Sequence, residues 1–275
     1  MASVQHEREP SPRRARSAES SPLRMARLIE GEIIPRLLLA HRAERERPTS
    51  GTIALSEPRL FAEMSLNHEV FALLDHVERL LTAVPIEAIY LDLLAPAARV
   101  LGELWENDIC DFVDVTMGMW RLQQVIHELG NRAPCLSART RADRRVLFTV
   151  PPGNQHSFGL VMVDDFFRRA GWRTWTAPDA TLRDLCGIVG RQWFELVGLT
   201  VSTTAHLADL PVILREVRRA SQNPAVGIMV GGPVFVGFPE RAAAAGADGT
   251  APDAPGALHV AEQLVERRGH RVAAS

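Results

Sequence analysis

The hydrophobic periodicity of this chain changes near residue 145, and the change restricts the folds that the chain can adopt. After that point, short apolar runs alternate with segments of helical periodicity. The runs cover 146–150, 173–176, 194–201, 226–230 and a weak 247–250, and the helical segments cover about 158–170, 181–191, 206–221, 238–245 and 255–268. Such alternation is typical of a parallel β-sheet with helices on both faces. We therefore expect an α/β domain with five parallel strands over residues 145–270.

The segment before this domain has helical periodicity almost throughout. Residues 59–130 contain a short helical pattern near 59–66 and longer ones at about 70–81, 86–104 and 110–129, which predicts an all-α helical bundle. Pro85 falls in the first turn of a helix, where proline is tolerated, whereas Pro96 should kink that helix. Residues 131–144 are expected to form a linker. For residues 1–58, rich in Pro, Ser and charged side chains, we expect a flexible arm and linker, or alternatively a segment that binds a partner or covers the bundle.

Composition excludes several classes of function. All 31 basic residues are arginine, which excludes a Schiff-base lysine, a phosphate-loop lysine and a lysine general base. The formal net charge is −2, so no strong overall field attracts nucleic acid. The three cysteines are scattered, which argues against a disulfide framework or a zinc knuckle. No apolar run is long enough to span a membrane and no signal peptide is visible, so we expect a cytoplasmic protein.

One histidine lies where α/β proteins bind their ligands. Residues 153–159 (Gly-Asn-Gln-His-Ser-Phe-Gly) follow the first predicted strand, which places His156 on a loop at the carboxyl end of that strand. No clustered metal triad, serine elbow or three-glycine dinucleotide fingerprint accompanies it. We therefore expect no catalytic residues and no enzyme activity. A solitary His156 suits the axial metal position of a macrocycle, whose own nitrogens fill the in-plane positions; the alternative is an ordinary loop histidine.

Two other strand ends carry residues that suit a ligand site. The third strand is followed by the hydroxyls of Ser202 and Thr204, and the fourth by Gly231 and Gly232. Adjacent glycines let a ligand approach the backbone because no Cβ intervenes. Together with His156, these residues are expected to frame a slot for a long appendage that runs down beside the sheet.

The three motifs closely resemble those of cobalamin-binding domains. That family carries Asp-x-His-x-x-Gly, Ser-x-Leu and Gly-Gly, and the corresponding stretches here are Asn154-x-His156-x-x-Gly159, Ser202-x-Thr204 and Gly231-Gly232. The first two are separated by 42 residues and the last two by 26, and the resemblance extends over about 145–268. It implies a Rossmann-like (flavodoxin-like) fold in which His156 binds cobalt and displaces the dimethylbenzimidazole of the cofactor into the slot. It also implies that residues 59–130 form a helical cap over the upper cobalt face.

The chain departs from the family pattern at Asn154, which replaces the usual Asp, and at Thr204, which replaces Leu. A carboxylate raises the basicity of a ligating histidine, whereas an asparagine amide accepts a hydrogen bond without charge. We therefore expect a weaker bond between cobalt and His156, which is poor for a methyl-transfer relay and acceptable for a sensor.

The cap carries a second resemblance. Residues 101–109 are similar to the Leu-Gly-x-x-Trp-x-x-Gly stretch of cobalamin-dependent light-responsive regulators, in which a Glu-His pair follows the Trp by ten and eleven residues. Here Val115 and Thr116 occupy those two positions. The resemblance implies that Trp105 packs over the upper axial group without a reserve histidine. The alternative is that Trp105 and Trp120 belong to the core of the bundle.

The whole architecture resembles the PpaA/AerR group of photosynthesis regulators. That resemblance implies a protein that binds adenosyl-, methyl- or hydroxocobalamin and acts as an antirepressor on a partner repressor of photosynthesis genes, with light or redox state as the signal. Direct DNA binding is not expected, because no DNA-reading module precedes the cap. Three alternatives stay open: a haem-binding sensor of the same fold, a corrinoid carrier protein for a methyltransferase, and a domain without cofactor that serves as an interaction platform.

Overall fold

The computed structural model describes residues 52–132, 144–154 and 157–273, with side chains up to Arg267. Its helices and strands are α1 Glu57–Asn67, α2 Val70–Leu81, α3 Ile86–Ala88, a π-helical segment Ile89–Leu94, α4 Ala95–Glu106, α5 Phe112–Arg132, β1 Arg145–Thr149, α6 Phe158–Arg169, β2 Arg173–Ala177, α7 Leu182–Arg191, β3 Leu196–Thr200, α8 Leu210–Ala220, β4 Gly227–Gly231, α9 Glu240–Ala244, β5 Gly249–Thr250 and α10 Ala254–Ala273. Short 3-10 helices follow β3 (Thr204–Leu207) and β4 (Pro233–Phe235). All five predicted strands are present, the third and fifth shorter than expected.

The sheet is parallel throughout, and its strand order is β2-β1-β3-β4-β5. This is the flavodoxin-like order, so the predicted fold class is confirmed. Alternate residues of the central strands pack against α6 and α10 on one face and against α7 and α8 on the other. The strand order reverses between β1 and β3, and the crevice at the carboxyl ends of these strands is where such sheets bind ligands.

The helices α1 to α5 form the predicted bundle, which we call the cap. Its core is made of fully buried side chains from each of its long helices, including Phe61, Leu73, Leu101 and Leu122. The same core continues into α6 through Met162 and Phe166. The cap and the sheet therefore pack into one unit. The boundaries at 58, 130 and 144 stay predictions, and the first 51 residues of the predicted arm lie outside the described residues.

The predicted distortion at Pro96 takes the form of a π-helical turn. Proline has no N–H to donate, and in a regular α-helix its ring would meet the carbonyl of the residue four positions earlier. The turn Ile89–Leu94 ends two residues before Pro96 and widens the helix there, which separates the two groups. Single π-turns inside helices are frequent at functional positions. This one places Tyr90 in the contact between cap and sheet domain.

A buried polar cluster joins that turn to α6. The hydroxyl of Tyr90 donates to Oδ2 of Asp165 over 2.8 Å, and Asp165 also accepts from Arg168 and, over 2.5 Å, from Nε of Arg169. The Arg169 guanidinium lies 5.2 Å from the centre of the Tyr90 ring. Burial and the neighbouring Asp165 carboxylate raise the pKa of Tyr90, so the hydroxyl keeps its proton and remains a donor. The cluster ties the helix after the histidine loop to the cap.

Candidate functional site

The loop after β1 turns sharply at Pro151, which accepts a hydrogen bond from the Asn154 backbone N–H over 3.0 Å. The side chain of Asn154 is buried. His156 lies outside the described residues, so its role as metal ligand stays a prediction. The described part of the loop places the side chain of Asn154 in the interior, where a side chain that orients a neighbouring residue has to lie.

Gly159 lets the start of α6 approach the end of β3. A Cβ added at Gly159 would lie 3.3 Å from Cγ2 of Thr200, which is closer than most Cβ contacts. The glycine in this motif therefore serves close packing between helix and strand. As a consequence, the start of α6 is held beside the point where the strand order reverses.

Two neighbouring glycines, one that ends β4 and one that follows it, are needed for different structural reasons. A Cβ at Gly231 would meet nothing within 4 Å, and Gly231 lines a cavity. Gly232 has a φ of +110°, and a Cβ there would lie 2.2 Å from the backbone oxygen of Val201. The missing side chain at Gly232 thus serves the close contact between the ends of β3 and β4, and only Gly231 leaves open space for a ligand.

The cavity is a slot between the sheet and the helices α6 and α10. Thr200 and Gly231 line it nearest the carboxyl ends of the strands, Gly198 and Met229 lie one level deeper, and Leu196 is deepest. Its walls are formed by Phe148 on the sheet, Val163 and Phe167 of α6 and Ala257 of α10. From Thr200 to Leu196 the slot extends about 13 Å at about 3.3 Å per strand residue. Its volume is about 40 Å³.

The predicted site residues do not all line this slot. The structure brings Gly159, Thr200 and Gly231 together, whereas half-buried Ser202 and exposed Thr204 lie past the end of β3 and are not among the residues that line it. Sequence reasoning missed Thr200 and Gly198. Strand periodicity could have found them, since residues two apart on a strand share one face of the sheet.

An exposed apolar surface lies where α4 ends and α5 begins, and we call it the cap patch. Its members come from the end of α4, the connecting loop and the first turns of α5: Trp105, Ile109, Phe112, Val113, Met117 and Trp120. Trp105 is 50% exposed and Trp120 47%, so the alternative that they are core residues of the bundle is wrong. On α5, Val113, Met117 and Trp120 are spaced four and three residues apart and are therefore neighbours on one helix face.

Neither substitute for the Glu-His pair supplies a metal ligand to the cap patch. Val115 is half-buried against the cap core, and the hydroxyl of Thr116 donates to the backbone oxygen of Phe112 over 2.7 Å.

Comparisons with known proteins agree with this geometry. Residues 144–259 match a family model described as a B12 binding domain, and residues 61–129 match a second model with the same description. An uncharacterized 20.5 kDa protein in the bchF-crtJ intergenic region of Rhodobacter capsulatus is 27% identical over 165 residues, which is 60% of this chain and 85% of that protein. The monomethylamine corrinoid protein of Methanosarcina barkeri has a similar fold, with a TM-score of 0.59 and 17% identity over 75% of this chain and 95% of its own. Among the described residues, no helix is long and apolar enough to cross a membrane.

The two family matches coincide with the two parts of the fold. The first covers the sheet with its helices and the second covers the cap, and together they span about two thirds of the chain. The match to a protein from the bchF-crtJ region agrees with the resemblance to photosynthesis regulators, which is thereby confirmed. The chain belongs to the family of B12-binding-domain proteins in which a helical cap precedes the α/β domain.

Proposed function

We propose that the protein is a cobalamin-dependent transcriptional regulator that acts through a partner repressor and is not an enzyme. Membership of the B12-binding family supports cobalamin as the ligand. The observation that carries the regulatory part is the cap patch. Contiguous exposed apolar surface on a folded protein marks a place that a ligand or a partner covers. The surface that the cap leaves exposed then depends on what covers this patch.

The residues present fit a corrinoid at the outer end of the slot. The open space at Gly231 is a cradle that any larger residue would fill, and it lies at the carboxyl ends of the strands beside the start of α6. Thr200 lines the same end of the slot. A flat macrocycle lying across these strand ends would have its tail directed towards Gly231.

Within this proposal, His156 would bind the cobalt of the cofactor and Asn154 would orient the His156 imidazole. Cobalamin supplies a cobalt ion whose upper ligand can be lost or exchanged. Asn154 accepts a hydrogen bond from an imidazole N–H without adding negative charge, so the histidine remains a moderate donor to the metal. Ser202 and Thr204, which lie past the end of β3, are proposed to contact the part of the tail that remains outside the slot.

The cap patch is proposed to sense the upper ligand. Trp105 and Trp120 have large side chains, and the solvent-exposed area of both would change when a bulky group beside them is gained or lost. A ligand can shift the cap only by the difference between its affinities for two cap conformations. Coupling energies of about 1–3 kcal/mol are common between two sites, which corresponds to about a 5- to 150-fold change in partner affinity. Light and redox state are the two signals proposed to change the upper ligand.

The experiment is a calorimetric titration of a candidate photosynthesis repressor with four forms of the full chain. These are the cofactor-free protein, the dark adenosylcobalamin form, the same form after illumination, and the hydroxocobalamin form. The proposal predicts at least a fivefold difference in affinity between the dark and illuminated forms. Equal affinity for all four forms would contradict it, as would tight sequence-specific binding of the chain alone to duplex DNA.

A matched pair of tryptophan variants separates the cap patch from general surface effects. Trp105 and Trp175 are equally exposed, at 50%, but Trp175 lies on the edge strand β2. Trp105→Ala should abolish the difference between dark and illuminated forms, and Trp175→Ala should preserve it. If both variants behave alike, the cap patch is not the sensing surface.

A second candidate function, a corrinoid carrier for a methyltransferase, is favoured by one observation. The shared fold covers 95% of the Methanosarcina barkeri corrinoid protein, so both a cap and a sheet domain are matched. A carrier would pass the methyl group of bound methylcobalamin to an acceptor in the presence of a methyltransferase. The absorption spectrum of the loaded protein also tests the haem alternative, since a haem protein has a Soret band and a corrinoid protein does not.

A further inference from the structure

The slot is narrowed at its second level by a side chain of the protein itself. Phe148, Gly198, Met229 and Gly249 face one another across four neighbouring strands in register. Large and small residues alternate along this row. The row lies one level below Thr200 and Gly231, further from the carboxyl ends of the strands.

The ring of Phe148 occupies the space above Gly198. A Cβ built at Gly198 would lie 2.7 Å from both Cδ1 and Cε1 of Phe148. The ring of Phe148 therefore fills the space that a side chain at Gly198 would take. At Gly231, one level nearer the strand ends, a Cβ would meet nothing within 4 Å. The two levels of the slot therefore differ: the outer one is open at Gly231, and the inner one is partly filled by the Phe148 ring.

The Phe148 ring is held in place by two other aromatic side chains. Phe167 of α6 packs edge-on against it with ring centres 4.9 Å apart, and Trp172 packs against Phe167 with centres 5.3 Å apart. Only 4% of Phe148 is exposed. A ligand that reaches the inner level must displace this ring or the more flexible Met229 side chain beside it.

The volume of the slot limits which groups of a corrinoid it can hold. Its volume of about 40 Å³ is well below the roughly 150 Å³ of an apolar cavity that holds one benzene molecule. A benzimidazole, with nine ring atoms, does not fit into that space beside Phe148. A corrinoid without a nucleotide tail needs no room at the inner level.

We propose that Phe148 is a specificity-determining residue that limits the depth of the slot and makes the protein discriminate among corrinoids by the size of the lower nucleotide base. The proposal rests on the proposed function, since it concerns the same slot. Wild-type protein binds a tail-less corrinoid at least as tightly as cobalamin. Shortening Phe148 opens the inner level and favours the corrinoid that carries the base.

The test compares hydroxocobalamin with aquocobinamide, a corrinoid that lacks the nucleotide, by absorption titration of the full chain. Phe148→Leu and Phe148→Ala should tighten hydroxocobalamin binding at least tenfold and leave aquocobinamide binding within twofold of the wild type. Phe235→Leu is the control, because Phe235 is equally buried, at 3%, and packs on the other face of the sheet. Phe148→Leu keeps an apolar side chain of similar size, and its aquocobinamide binding and circular dichroism report whether it is folded.

The outcomes separate this inference from the proposed function. Failure of the wild-type protein to bind either corrinoid overturns the proposed function. Tighter binding of hydroxocobalamin than of aquocobinamide by the wild type, with the same ratio in Phe148→Leu, overturns the inference alone. An equal gain in the Phe235→Leu control shows a general loosening of the domain and also overturns it.

Discussion

Two adjacent glycines should respond to substitution in opposite ways. Gly232→Ala places a side chain at a φ of +110°, in a region that residues other than glycine rarely occupy, at a cost of about 1–3 kcal/mol. The new Cβ would also lie 2.2 Å from the Val201 oxygen, and the shift that follows disturbs the 2.8 Å hydrogen bond from Val201 N–H to Gly231, which contributes about 1 kcal/mol. We expect a loss of about 2–4 kcal/mol. Gly231→Ala meets open space and should change stability by no more than about 1 kcal/mol, because alanine loses less backbone entropy on folding.

The measurement is urea unfolding of the cofactor-free chain, followed by circular dichroism, with the slope m unchanged between variants. A midpoint for Gly232→Ala well below that of Gly231→Ala agrees with the structure. Equal midpoints, or the reverse order, would refute the assignment of the two glycines. In the functional half of the experiment, Gly231→Val should keep the fold, since β-branched residues suit strands, and should weaken cobalamin binding at least tenfold.

Two further predictions concern the interior and the loop. Asp165→Asn removes the carboxylate that pairs with buried Arg169 and should destabilise the chain by about 3–5 kcal/mol in the same unfolding assay. The control Asp75→Asn, at an exposed ion pair, should cost less than about 0.5 kcal/mol. Similar losses of stability for the two variants would contradict the buried cluster. Asn154→Asp should tighten cobalamin binding about ten- to a hundredfold at neutral pH, since a carboxylate stabilises the positive charge that develops on a ligating imidazole. Weaker binding of that variant in an absorption titration would show that Asn154 does not orient the ligand.

The sequence predicted the alternating part of the fold well because its signals are local. Strand β1 contains the apolar run 146–148 and Gly171 ends the helix before β2, so both boundaries could be placed within a residue or two. The π-helical turn could be predicted only as a distortion. Pro96 indicates that a regular helix is disturbed, but the form of the disturbance depends on packing against α6.

The site was predicted less completely, because its remaining residues are defined by contacts between distant parts of the chain. Tyr90 and Asp165 are 75 residues apart, and no local pattern pairs them. Phe148 looks like any core residue of a buried strand, and its position over Gly198 follows from strand register. The sequence also left open whether Trp105 and Trp120 face the core of the bundle or lie on its surface, because helical periodicity does not show which face of a helix is covered.

The central claim is that a histidine of this chain, His156, is the lower ligand of cobalt. It is tested most directly by electron paramagnetic resonance of the protein loaded with cob(II)alamin, in which the unpaired electron couples to the nucleus of the lower nitrogen ligand. The account predicts a triplet superhyperfine splitting with ordinary protein that becomes a doublet when the protein is labelled with ¹⁵N and the cofactor is not. In His156→Ala, the splitting should no longer respond to the label. A triplet that persists in the labelled wild-type protein would mean that the cofactor's own base remains bound, and it would contradict the account.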